Sequence, residues 1–223
     1  DPNFGSNKRL YVYYTNASPL DNRVARFRVV KNRCTDRKII LKGLEADSAT
    51  NHNGGHIEFV RGKLFVAVGE NASPARSQDT SVREGKILRI NPNGSIPDGN
   101  PFNNAVWSYG HRNPFGLAHK PGTGKIYSSE NGPECDDEMN HIVKGRNYGW
   151  GNGYQCGTAG VGTDPKAPIR RWSDIIVPTD PDWYKGKLRQ LSNDLYVGSY
   201  NSGRLHRLVM NAKGTKVRED RVI

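Results

Sequence analysis

Apolar residues in this chain come in short bursts broken by glycine, proline and asparagine, with no long stripe at helical spacing. That pattern predicts strands joined by turns. Four bursts share one form: Lys8-Arg9-Leu10-Tyr11-Val12, Gly62-Lys63-Leu64-Phe65-Val66, Gly124-Lys125-Ile126-Tyr127-Ser128 and Asn193-Asp194-Leu195-Tyr196-Val197. Each is a polar turn followed by an aliphatic, an aromatic and a small or β-branched residue. A second predicted strand follows each: Arg23–Val30, Lys86–Asn91, Glu138–Val143 and Arg204–Met210. Arg37–Leu44 reads as a further strand, and Tyr11, Tyr13 and Tyr14 read as strand packing residues.

Leu10, Leu64, Ile126 and Leu195 lie 54, 62 and 69 residues apart. Repeated β-meanders at such intervals predict an all-β fold, a β-propeller in which each sheet packs on the next. Four repeats are visible. The uneven spacing predicts long loops between blades, where sites tend to be built. The opening Asp1-Pro2-Asn3-Phe4 reads like the interior of a protein, so the expectation is one propeller domain over 1–223 with blades missing.

Composition narrows the function classes. With 25 Gly and 13 Pro the 223 residues suit a loop-rich fold, and no apolar run reaches the roughly 20 residues of a membrane-spanning helix. The 33 Lys and Arg give a formal charge of +11 but are scattered, with no nucleic-acid motif among them. A basic surface that attracts an acidic partner is the better reading. Cys135 and Cys156 could pair in an oxidising compartment, leaving Cys34 free. Sequons at Asn16, Asn71 and Asn93 also suit an exported protein, periplasmic or extracellular.

Candidate chemistry concentrates in three stretches. Asn51-His52-Asn53-Gly54-Gly55 puts an imidazole where a loop enters a strand, a position for a general base that titrates near neutral pH. Gly110-His111-Arg112-Asn113-Pro114 holds a planar cation and an amide ahead of a proline. Ser129–Trp150 joins a Gly-Pro turn to Asp136, Asp137 and Glu138 and ends on Asn147-Tyr148-Gly149-Trp150. Carboxylates beside turn carbonyls offer the hard oxygen ligands that calcium takes.

These pieces, with Gln78-Asp79 and Gly85–Asn91, occur in one order and resemble the soluble quinoprotein glucose dehydrogenases and aldose sugar dehydrogenases. The resemblance covers most of residues 1–150 and, more loosely, Asp194–Leu208. It implies a six-bladed propeller, of which this chain lacks the first and closing blades, binding pyrroloquinoline quinone (PQQ) and calcium near its axis, and oxidation of an aldose at C1 to the lactone with electrons passed to an external acceptor. Under it, His52 is the catalytic base and Arg112 stabilises charge on the cofactor. Gln78, Arg112, Asn113, Gly132 and Pro133 contact PQQ. Gly132, Pro133, Asp137, Glu138 and Tyr148 surround calcium. Gly69-Glu70 replaces the usual Gly-Asp, Pro178-Thr179-Asp180 replaces a common Pro-Ser-Gly, and Asn201 replaces a lysine, which favours the aldose sugar dehydrogenase branch. The rival readings are a non-catalytic binding propeller of the same superfamily and a calcium-stabilised surface component.

Overall fold

The computed structural model describes residues 1–46 and 51–223. A short helix, α1 (Phe4–Asn7), leads into β1 (Arg9–Ala17), β2 (Leu20–Val30) and β3 (Arg33–Glu45). Next come β4 (Ile57–Val60), β5 (Lys63–Val68), helix α2 (Pro74–Gln78), β6 (Lys86–Ile90) and β7 (Val106–Tyr109). The third group is β8 (Pro114–His119), β9 (Ile126–Glu130), β10 (Asp137–Ile142) and β11 (Arg170–Trp172). The last is β12 (Pro178–Trp183), β13 (Leu195–Ser199), β14 (Arg204–Met210) and β15 (Val217–Val222).

Each group forms its own antiparallel sheet, three-stranded for β1–β3 and four-stranded for the others, with neighbours in sequence paired in space. These are the blades of a β-propeller. The central burst of each repeat falls on β1, β5, β9 and β13. Of the strands that precede it in the three larger sheets, β4 is the strand expected after the His52 loop, whereas β8 and β12 are not among the predicted strands.

Both faces of a strand here are apolar because each inner sheet lies between two others. Successive side chains point to opposite faces. Leu64, Val66 and Val68 of β5 therefore join Tyr11, Val24, Leu41 and Leu44 in one core, while Phe65 and Ala67 join Leu117, Ile126 and Ile142 in the next. One sheet further on, Tyr127 and Met139 pack with Leu195, Val197 and Leu208. Leu64, Ile126 and Leu195 are buried, but Leu10 in the outer sheet is 38% exposed, since no described sheet covers that face.

β8 lies against both β4 and β12. The loop entering β4 carries His52 and the loop entering β8 carries Arg112 and Asn113. Among the described residues, no helix is long and apolar enough to cross a membrane.

Candidate active site

His52 lies just ahead of β4 with φ of +48°, a left-handed backbone unusual for a side chain of its size. Gly69 permits the approach: a Cβ there would stand 1.9 Å from the His52 carbonyl oxygen. His52 Nδ1 is 2.5 Å from Glu70 Oε1, and Glu70 is almost wholly buried. The same residue donates its backbone N–H to the Arg112 carbonyl at 2.8 Å. One residue thus ties the imidazole to the guanidinium-bearing loop.

Arg112 is fixed on several sides. Its backbone N–H donates to Glu130 Oε1, and its Nη1 donates to the Asn131 carbonyl at 2.9 Å. Its guanidinium lies over the Trp150 ring, 5.3 Å from the centroid. Burial lowers its pKa, and the carboxylates of Glu70, Glu130 and Asp137 oppose that shift. His111, fully buried, holds the other oxygen of Glu130 at 2.9 Å, bonds Ser108 through Nε2, and stacks on Tyr148. Glu130 is therefore clamped between His111 and Arg112.

Beside them runs a cleft lined by Arg112, Glu130, Asn131, Gly132, Pro133 and Glu138, with Tyr148, Trp150 and Tyr154 as its aromatic wall. The Gly132–Asp136 turn is tight enough that a Cβ on Gly132 would meet the Cys135 carbonyl at 1.9 Å. Cys135 is joined to Cys156, with Cα atoms 6.0 Å apart, and Cys34 is free and exposed. Asp136 adds to this tether by accepting from Tyr154 Oη at 2.7 Å and Gly157 N at 2.5 Å. The turn and the loop over 151–162 are thus one wall.

The expected site residues separate into two groups. Arg112, Gly132, Pro133 and Glu138 line one cleft, and Glu70 ties His52 to the Arg112 loop. Burial pushes the Glu138 carboxyl up to about 7, with Glu130 across the sheet adding to the rise. Asn113 stands beside Arg112, its carbonyl accepting from Asn131 N at 3.3 Å. The other three are engaged by the protein itself. Gln78 lies behind the cleft, its amide donating to Trp150 O at 2.6 Å and Asn147 Oδ1 at 3.0 Å, because α2 packs under the 147–151 loop. Asp137 is fully buried and holds backbone: Oδ1 accepts from Gly132 N, and Oδ2 accepts from Ile176 N and Val177 N, both at 2.7 Å. Tyr148 presents only its ring, because its hydroxyl donates to His141 O and accepts from Val143 N. Glu70, Glu130, Asn131 and Trp150 were not singled out from the sequence as site residues. Glu70 and Glu130 each end or follow a buried strand, where a carboxylate needs a partner, and that was the available signal.

Several buried polar atoms at the site have no partner within the described protein: Glu70 Oε2, Arg112 Nε, Asn131 Oδ1 and Trp150 Nε1. Nor do the Gly132 and Pro133 carbonyls accept a hydrogen bond among the described residues. Buried polar atoms are normally paired, so this set fits a polar, planar ligand and a hard cation at the turn.

The Glucose / Sorbosone dehydrogenase family matches residues 1–223. Aldose sugar dehydrogenase YliI of Escherichia coli is 30% identical over 245 residues, covering 98% of this chain and 65% of that protein. Quinoprotein glucose dehydrogenase B of Acinetobacter calcoaceticus is 35% identical over 185 residues, covering 68% of this chain and 38% of that protein. The PQQ-bound form of aldose sugar dehydrogenase from Streptomyces coelicolor superposes with a TM-score of 0.86 at 30% identity, over 100% of this chain and 64% of that one. The chain spans less than two thirds of the length of these relatives.

Proposed function

Because the chain belongs to the Glucose / Sorbosone dehydrogenase family, we propose that it carries the cofactor and base machinery of a quinoprotein that oxidises an aldose at C1 to the lactone. The observation that carries the reading is the linkage of His52 through Glu70 to the Arg112 loop, beside a cleft where buried polar atoms of Arg112, Asn131 and Trp150 lack partners. Arg112, Asn113, Asn131 and Trp150 would hold PQQ, and the carbonyls of Gly132 and Pro133 with Glu138 would hold calcium. When bound, PQQ supplies the two-electron acceptor and calcium polarises its carbonyl.

The rest is done by side chains. With Nδ1 turned to Glu70, Nε2 is the nitrogen of His52 left to take the proton of the sugar C1 hydroxyl. Glu70 keeps the ring oriented and counters the charge it gains. Arg112, held rigid by Glu130 and Asn131, presents its cation where negative charge gathers. The aromatic wall of Trp150 and Tyr154 excludes water from one side of the cleft. Electrons would leave to an external acceptor. The Cys135–Cys156 bond supports export to an oxidising compartment, periplasmic or extracellular.

The test is reconstitution with PQQ and calcium, followed by dye reduction with a panel of aldoses. Calcium-dependent reduction that is lost in His52→Ala, with PQQ still bound, is the expected result. A folded protein that binds no PQQ at micromolar concentration would overturn the reading in favour of a non-catalytic binding propeller.

A further inference from the structure

Outside the active site, one cleft gathers positive charge that no ion pair among the described residues neutralises. It opens at the end of the first sheet, against α1, with a volume of about 380 Å³, and is lined by Ser6, Asn7, Arg9, Arg26, Arg28 and Lys38 with Asp36 at one side. The register explains the crowding. Arg9 stands directly across from Arg28, and Arg26 directly across from Lys38. Like charges directly opposite in a sheet are destabilising, and arginine cannot escape by deprotonating.

Several strand arginines elsewhere have acidic partners: Arg23 with Asp21 in this same sheet, Arg170 with Asp220, and Arg207 with Asp194. Among the described residues the four cations of the cleft have none, and Asp36 pairs with neither neighbour. Guarding an exposed strand edge with charge would account for Lys38 on β3. It does not account for Arg26 and Arg28, which lie on the central strand β2. Three guanidinium forks around a small-molecule-sized cleft match the oxygens of a carboxylate or phosphate. Asp36, the Asn7 amide and the Ser6 hydroxyl add partners for hydroxyl groups.

We propose that this cleft binds a small hydroxylated anion, of the sugar-acid or sugar-phosphate class, at a site separate from the oxidation cleft. The proposal stands on the first sheet alone and is independent of the reading given to His52 and Arg112.

Calorimetric titration of the intact protein at about 150 mM salt, where long-range attraction is screened, tests it. Gluconate and glucose 6-phosphate are the two probes, and acetate is the control. One probe is expected to saturate at one site with Kd below ~1 mM, while acetate does not; which probe saturates identifies the carboxylate or the phosphate source. The double variant Arg26→Gln/Arg28→Gln should lose roughly 10-fold or more in affinity, because both forks go. The control double variant Lys213→Gln/Arg218→Gln removes the same charge from exposed positions on the last sheet and should bind as the parent does. Absence of saturation by both probes, equal binding of acetate, or equal loss in the control variant would each overturn the proposal.

Discussion

Replacing Asp137 separates a residue that holds backbone from one that holds metal. Its carboxylate, fully buried, accepts from Gly132 N at 2.9 Å and from Ile176 N and Val177 N at 2.7 Å. It therefore pins the turn after β9 to the segment entering β12. Asp137→Ala leaves three part-buried N–H groups without this acceptor. Hydrogen bonds to a charged group are worth about 1.5–3 kcal/mol each, and because these donors are only part-buried the low end applies, a loss of roughly 4–5 kcal/mol for three. At about 2–4 °C per kcal/mol for a chain of this size, the melting temperature should fall by roughly 10–15 °C. Asp137→Asn keeps one acceptor oxygen and should lose about half as much. The assay is thermal unfolding followed by circular dichroism in buffer containing a chelator. If Asp137→Ala melted within about 3 °C of the parent there, and fell behind only when calcium was added, the backbone-holding argument would be wrong and a ligand role right.

Other outcomes follow from the same geometry. Glu70→Gln should lower kcat by about 10²-fold with KM little changed, because imidazole orientation is lost while the cleft is kept; steady-state kinetics checks it. Gly69→Ala drives a Cβ into the His52 carbonyl and should reduce activity more than it reduces the melting temperature. Cys156→Ser frees the 151–162 loop from the Gly132–Asp136 turn and should weaken PQQ binding, read by equilibrium dialysis, with sugar specificity of the residual activity unchanged. Burial, with Lys166 and Lys125 nearby, pushes the His141 imidazole down to about 4 from an ordinary value of 6.5. A depressed folded-state pKa gives stability that is complete above the unfolded value and is lost as pH falls through the folded one. His141→Phe should therefore flatten the decline in melting temperature between about pH 6.5 and 4, and an unchanged decline would count against it.

What the sequence shows and what it hides differ by how local the signal is. Leu64, Ile126 and Leu195 mark three central strands because a buried strand carries its own apolar run. The strand β12 reads Pro178-Thr179-Asp180-Pro181-Asp182-Trp183, which looks like a loop. Its prolines are tolerated because it is the first strand of its sheet and leaves one edge unpaired. His52, Arg112 and the Gly-Pro turn are legible because each sits in a stretch whose composition signals a turn with reactive side chains. The backbone-holding contacts of Asp137 are hidden for the opposite reason: an acid beside a turn reads as a cation ligand, and its partners at Ile176 and Val177 lie about forty residues on, where no local pattern points. Glu70 and Glu130 gain meaning only once β4 pairs with β5 and β8 with β9, which bring His52 to the one and Arg112 to the other.

The two-sided packing of β5 and β9 has a consequence for how such a chain can change over time. A residue inserted in either strand would turn every following side chain to the wrong neighbour, damaging two cores at once. Length can therefore vary only between the strands. The intervals of 54, 62 and 69 residues between equivalent positions are what that restriction leaves: strands held to a fixed measure, and loops free to lengthen until they could carry a base, a cation and a disulfide-bound wall.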